Sequence, residues 1–444
     1  MNKNEKIQTK VLSGFMELLP ADQSTFDKMK DAIQSVYESY GFVSIDTPVI
    51  ERAEVITTSA GGETEKQLYT FKKGDNELSL RFDLTVPLAR YVAEHDRDLA
   101  FPFKRFAIGK SYRGESPQKG RFREFYQCDA DIVGNGSLAL ANDAEIISMV
   151  NSVFTKLDIG DFCIKISNRK LLAGLAESLE EGKDAAVSLM RAVDKLEKIG
   201  EEGVQKELSE SGISETSAER LFSFISSGIS GDSKKTIANL KEFASKQGLV
   251  ELFSLGINEL EEVVNTARLL GVSEKNLDID LSIARGLDYY TGTVFETKLR
   301  NDKIIGSVCS GGRYENLVAT FGEKIMPGVG MSVGLTRLFS QLKEAELVSA
   351  GASTSAKVLI IPVSDDIKDV LRVALELRAN SIATSIYFED VKIKNKLAYA
   401  DKIGVPFVVM IGEDEIKSGS YTLKNMHSGE QSSYTIPELI ERLG

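Results

Sequence analysis

Apolar residues recur at helical spacing through Met29, Ile33, Val36, Tyr37 and Tyr40 until Gly41 interrupts the pattern. An amphipathic helix with Ser24 at its N-cap is expected. The stretch FVSIDTPVI (42–50) then alternates as a strand, and Pro48 confines that strand to an edge, an end or an interface. Residues 51–80 pass through the polar turn SAGGETEKQ into two short strands around Tyr69 and Leu80. Two longer aromatic runs follow, Phe103–Tyr112 and Phe122–Ile132, with Gly114, Pro117 and Gly120 between them. That pattern predicts a β-hairpin with a long loop. Asp143, Ile147, Val150, Phe154 and Leu157 give another helical stripe, which has the character of core packing.

Residues 170–270 differ from what precedes them. They are helix-forming, charged and low in aromatics, with Ser/Gly breaks at SGISETS and SSGISGDS, so a mostly helical module is expected whose charges form a solvated face. Strand patterning returns at LDIDLSIARGLDYYTGTVFET, and PGVGMSVGLTRLFSQL runs from a glycine-rich strand into a helix. After the small, polar stretch EAELVSAGASTSAK, the runs KVLIIPVS, SIATSIY and PFVVMIG alternate with helical segments. This is a βαβαβ pattern of a separate small α/β domain, completed by the strand pair SYTLKNM and QSSYTI and the helix PELIERLG.

Composition narrows the function classes. A chain of 444 residues allows roughly three domains, and 42% hydrophobic content supplies a core for each. No apolar run approaches the roughly 18 residues of a membrane span, and MNKNEKIQTK precedes no apolar leader segment, so a cytoplasmic protein without membrane contact is expected. Cys128, Cys163 and Cys309 are widely spaced and odd in number, which argues against a disulfide framework. With only His95 and His427, a His-rich zinc site or a Ser-His-Asp triad is disfavoured. A net charge of −12 disfavours indiscriminate binding to DNA or RNA. Yet from Lys104 to Arg123 seven Lys or Arg face the single acid Glu115, a local charge of +6. The reversal marks either a polyanion site or an ordinary solvated edge hairpin.

Strand alternation sorts the candidate chemistry. Gln127, Asp129 and Asp131 share one face of the second hairpin strand, with Tyr126, Cys128 and Ala130 on the other. In RFDLTVPLAR the same alternation puts Arg81, Asp83 and Thr85 on one face, a pocket for a zwitterion or a surface ion pair worth about 0–1 kcal/mol. Gly311 and Gly312 stand where a backbone would approach a ligand closely. Arg337, early in its helix, is electrostatically awkward without an anion nearby, which favours phosphate binding over a structural ion pair. Two nucleotide motifs fail: Lys104 stands where a P-loop ending Gly109-Lys110-Ser111 needs its first glycine, and Gly328, Gly330 and Gly334 have the wrong spacing for a dinucleotide fold.

Taken together and in order, RFDLTVPLAR, YRGESPQKGRFREFYQCDADI, ARGLDYYTGTVFE, CSGGRY and GLTR closely resemble the histidyl-tRNA synthetase family, a class II aminoacyl-tRNA synthetase family, over almost the whole chain. FVSIDTP corresponds to motif 1, the basic hairpin to motif 2 and the strand-helix ending at Arg337 to motif 3. The resemblance implies an α/β fold with an α+β catalytic domain, an antiparallel sheet flanked by helices, in residues 1–169 and 271–343. It also implies a helical insertion at 170–270, a linker at 344–356, an anticodon-binding domain at 357–444, and a homodimer formed partly by motif 1.

The implied activity joins L-histidine and ATP into histidyl-adenylate and then transfers the histidyl group to the 3′ end of tRNA(His). Mg²⁺ would accompany the phosphates, with no fixed protein metal site, no zinc and no organic cofactor. Matched residue by residue, the resemblance makes Arg113 and Arg285 catalytic, holding the α-phosphate and the histidine carboxylate. Asp83, Thr85 and Gln127 would bind the α-amino group, and Asp131 and Tyr290, with Tyr289 and Tyr314, the imidazole. Glu115, Arg121, Phe122 and Arg337 would hold ATP. A catalytically silent histidine-binding paralogue, a regulatory subunit or a sensor of uncharged tRNA, is the alternative, and the retained arginines and C-terminal domain argue against it.

Overall fold

The computed structural model describes residues 9–57, 65–116, 118, 120–182, 185–228, 231–249, 251–283, 290–315, 318–322, 324–364 and 367–444. Contacts divide the chain into two units, Met1–Met16 with Lys30–Leu347, and Glu17–Met29 with Val348–Gly444. The division falls within the first helix, α1 (Pro20–Ser39). Pro20, with φ preset for a first helical turn, starts α1 four residues ahead of Ser24, which therefore lies inside the helix and not at its cap.

The alternating stretch after α1 is two strands and not one. β1 (Val43–Ser44) pairs in parallel with the main sheet, whereas β2 (Ile50–Arg52) joins a separate three-stranded sheet with β3 (Thr70–Lys73) and β4 (Asn76–Leu80). Pro48, which has no N–H for a ladder, stands where the chain crosses between the two sheets. Helices α2 (Ala53–Thr57) and α3 (Thr85–Glu94) pack on each other beside this small sheet.

The hairpin forms as its pattern predicts, with β5 (Phe103–Tyr112) and β6 (Glu124–Val133) antiparallel along their full length. The other strands of the main sheet are β7 (Phe162–Asn168), β8 (Leu277–Ile279), β9 (Tyr290–Leu299), β10 (Cys309–Tyr314) and β11 (Gly328–Val333). Their order is β1-β5-β6-β11-β10-β9-β7-β8, antiparallel except for the parallel outer pairs β1-β5 and β7-β8. Helix α4 (Ala141–Leu157) packs on β11 through a nearly continuous apolar surface that includes Ile147, Val150 and Phe154. One face of β6, with Cys128, Ala130 and Ile132, belongs to this apolar core, and the Tyr37 hydroxyl of α1 donates to the Cys128 carbonyl at 2.8 Å. The other face of β6 is left for polar side chains.

Between β7 and β8 the chain is helical, as expected: α5 (Arg169–Glu177), α6 (Ala185–Glu210, interrupted at Gly200), α7 (Glu215–Ser227), α8 (Ser233–Gln247) and α9 (Leu252–Leu269). The Ser/Gly breaks supply the caps, since Ser214 and Asp232 accept hydrogen bonds from the first backbone N–H groups of α7 and α8. Phe224, Phe243 and Phe253 interlock in their core with ring centroids 5.8–6.0 Å apart. Helix α10 (Leu335–Glu344) follows β11 and packs against β6.

In the second unit β12 (Val358–Pro362), β13 (Thr384–Ile386) and β14 (Phe407–Ile411) are parallel, and β15 (Tyr421–Asn425) and β16 (Gln431–Tyr434) extend the sheet antiparallel in the order β13-β12-β14-β15-β16. Helices α11 (Lys368–Ala379), α12 (Ile393–Ile403), α13 (Glu413–Ser418) and α14 (Ile436–Leu443) complete it, with Val358, Val373, Leu377 and Leu439 in the core. Among the described residues no helix is long and apolar enough to cross a membrane.

Candidate active site

The polar face of β6 opens onto a cavity of about 490 Å³. Gln127, Asp129 and Asp131 line it side by side, as alternation requires, and all three are buried. Cross-strand register decides what each one meets. Opposite Asp131 stand Arg105 on β5 and Gly330 on β11; opposite Asp129 stand Ala107 and Ser332; opposite Gln127 on β5 stands Gly109. Small residues thus flank long polar ones, which keeps the floor of the cavity open. A Cβ on Gly330 would lie 2.0 Å from Asp131 Oδ1, so no larger residue fits without displacing that carboxylate.

Asp131 is held from two sides. Arg105, 1% exposed, brings Nη2 within 2.7 Å of Asp131 Oδ2, and the buried Tyr314 hydroxyl donates to Oδ1 at 3.1 Å. The Gln127 side chain donates from Nε2 to Ser332 Oγ at 2.9 Å, and Ser332 in turn hydrogen-bonds the Asp129 carboxylate. This leaves Gln127 Oε1 and Asp129 Oδ1 buried without a hydrogen-bond partner among the described residues.

Burial pushes the Asp129 carboxyl up to about 7; Arg105 and the Ser332 hydroxyl pull it down, while Asp131 and Asp83 push it further up. Burial also raises Asp131, against the pull of Arg105 and Tyr314. Cys309 on β10 also lines the cavity and its thiol is raised first by burial; the Tyr37 hydroxyl, on the apolar side of β6, is raised by burial too. The sign for stability follows. A carboxyl whose folded-state value lies above its unfolded one keeps its proton longer in the folded chain, so stability falls as pH rises from about 4 to about 7. Asp129→Asn is expected to flatten this part of the profile, measured by denaturant unfolding of the ligand-free protein at several pH values; an unchanged slope would contradict it.

The cationic wall comes from the hairpin loop and α10. The Arg113 guanidinium lies 4.4 Å from the Phe82 ring centroid and 5.1 Å from that of Phe125, with Nε donating to the Phe82 carbonyl at 3.3 Å. Stacking on two rings holds it in place while its edge stays in the cavity wall. Arg121 pairs with Glu115 at 3.1 Å, and both line the cavity with Phe122. Arg337, in the first turn of α10, donates to the Ile305 carbonyl at 2.9 Å and also lines it. Tyr290, at the start of β9, faces the same space. Arg285 and Tyr289 lie outside the described residues.

Three expectations need correction. RFDLTVPLAR is not a strand: α3 begins at Thr85, and Asp83 Oδ1 accepts the Thr85 and Val86 N–H groups at 3.0 and 2.9 Å, a side-chain cap that turns the chain into the helix. Asp83 and Thr85 still line the cavity, but Arg81 does not. Its buried guanidinium donates to the carbonyls of Lys110 and Thr47 and pairs with Asp46, filling the space left by Gly109, whose Cβ would lie 2.3 Å away. The +6 hairpin is also not a free basic patch. Lys104 pairs with Glu145, Arg105 with Asp131 and Lys110 with Glu124, so three acids beyond the counted stretch offset half of its charge, while Arg121 pairs with Glu115 inside it.

Comparison with known proteins then decides the family. Residues 14–338 match the family model described as histidyl-tRNA synthetase, and residues 357–444 match that of an anticodon binding domain. The chain belongs to the histidyl-tRNA synthetase family. The histidine-tRNA ligase of Clostridium tetani is 51% identical to it, covering 99% of both chains. That of Clostridium acetobutylicum is 44% identical, covering 98% of this chain and 100% of its own. The crystal structure of histidyl-tRNA synthetase from Nostoc sp. PCC 7120 superposes with a TM-score of 0.91 at 40% identity, covering 99% of each chain. The large antiparallel sheet flanked by helices, with the C-terminal anticodon-binding domain, is the class II synthetase fold.

Around this cavity, sequence reasoning passed over Arg105 and Ser332. Arg105 counted only as one more surface cation, although it sits in the same alternation set of β5 as Ala107 and Gly109. Its partner is set by β5–β6 register, and that of Ser332 by β6–β11 register, which a single strand does not encode.

Proposed function

We infer that this protein activates L-histidine with ATP, releasing pyrophosphate and forming histidyl-adenylate, and transfers the histidyl group to the 3′ end of tRNA(His). The observation that carries the reading is one cavity with acidic and amide acceptors on β6 and guanidinium groups opposite, in a chain whose full-length relatives are histidine-tRNA ligases. Arg113 and Arg285 hold the α-phosphate and the amino-acid carboxylate. One carboxylate oxygen attacks the α-phosphorus, and fixed guanidinium donors stabilise the charge on the five-coordinate phosphorus as pyrophosphate leaves. Asp83, Thr85 and Gln127 receive the α-amino group, and Asp131, Tyr289, Tyr290 and Tyr314 read the imidazole.

Phe122 stacks on adenine, Glu115 and Arg121 frame the nucleotide, and Arg337 takes the triphosphate tail. Mg²⁺ travels with the ATP phosphates, where it neutralises charge, and neither zinc nor an organic cofactor takes part. Residues 1–169 and 271–343 form the catalytic core around the 170–270 insertion, and 357–444, past the 344–356 linker, bind the anticodon region. We also propose a cytoplasmic homodimer, supported by the exposed apolar side chains Val43, in the motif 1 stretch, and Val49 and Ile50, just after it. The purified protein is expected to catalyse ATP–pyrophosphate exchange with histidine and not with other amino acids. Histidine binding without exchange would overturn the enzyme reading in favour of a silent paralogue.

A further inference from the structure

We propose that Asp129, with Gln127, receives the α-ammonium group of bound histidine and so discriminates amino acids from analogues that lack the amine. The proposal rests on the histidine-activating reading given above. Gln127 and Asp129 are two residues apart on one face of β6, and both line the cavity. Gln127 Oε1 and Asp129 Oδ1 are buried and lack a hydrogen-bond partner among the described residues, which is costly in the empty site. Ser332 makes this arrangement deliberate. By accepting from Gln127 Nε2 at 2.9 Å, it turns the amide so that its oxygen, and not its nitrogen, is presented; by bonding the other side of Asp129, it fixes that carboxyl beside it.

Two neighbouring acceptors with nothing to accept from define a donor-rich ligand group. Charge specifies it further. Asp129, Asp131 and Asp83 act on one another here, and the guanidinium that offsets them is that of Arg105, 2.7 Å from Asp131, so the ionised cluster carries negative charge in excess. A primary ammonium supplies both the positive charge and several N–H donors. The imidazole instead has Asp131, whose orientation Arg105 and Tyr314 already hold. Asp129 is therefore a substrate-contacting specificity residue distinct from the ring-reading carboxylate.

The test compares histidine with imidazole-propionate, which keeps the ring and carboxylate and lacks the amine, by calorimetric titration of the full-length protein and its Asp129→Asn variant. The substitution is expected to weaken histidine by about 10- to 100-fold, as for loss of a charged hydrogen bond, and to change imidazole-propionate by less than about twofold. Equal weakening of both ligands, or of neither, would overturn the assignment. Asp129→Ser, smaller and also neutral, is the second variant should Asn not fold, and failure of both to fold would make Asp129 purely structural and overturn it too. A native protein that does not bind histidine would instead sink the histidine-activating reading itself.

Discussion

Replacement of Arg113 by alanine is expected to lower histidine-dependent pyrophosphate exchange by about 10²- to 10³-fold, the effect of removing one fixed donor from a developing oxyanion. The side chain earns this expectation by its mounting. The rings of Phe82 and Phe125 hold the guanidinium at 4.4 and 5.1 Å, and the Phe82 carbonyl takes its Nε, so little reorganisation is needed when a phosphate arrives. Lysine keeps the charge without the planar stack and is expected to recover little of the loss. Folding should survive, because stacking of this kind contributes only about 0.5–2 kcal/mol. Exchange kinetics with a parallel denaturant titration check both points, and a kcat within a factor of two of the parent would remove Arg113 from the reaction.

The second large effect concerns Asp131, where binding and stability are joined. Asp131→Ala strands Arg105, 1% exposed, as a buried cation without its carboxylate, at a cost of about 3–5 kcal/mol. It also removes the acceptor that the Tyr314 hydroxyl meets at 3.1 Å. Histidine KM is expected to rise by about 10- to 100-fold, or activity to vanish. The two consequences separate in the double variant Arg105→Met/Asp131→Ala. Removing both charges should restore most of the stability, whereas the KM for histidine should stay high. Recovery of KM together with stability would show that Asp131 matters only as the counter-ion of Arg105.

These two residues also mark what a sequence conveys. Arg113 was singled out by the resemblance of its stretch to motif 2 and not by local pattern, which offered only a count of cations; the fold puts it in the cavity wall. The face shared by Gln127, Asp129 and Asp131 was legible, since alternation with period two is local. The role of Arg81 was not. Alternation put it with Asp83 and Thr85, but Asp83 captures two N–H groups and starts α3, which turns Arg81 into the space beside Gly109.

Local periodicity thus determined the β5–β6 hairpin, the helices between β7 and β8, and the parallel β-strands of the C-terminal unit, because each needs only the spacing of apolar positions and the residues that end them. Tertiary structure alone decided which charges are paired and which acceptors are left over. Register brought Arg105 to Asp131 and Ser332 to Gln127 and Asp129, joining residues 26 or more apart in sequence. Desolvation then gave those contacts their weight, since a carboxyl that would be ordinary in water holds its proton to higher pH when it is buried with too few cations.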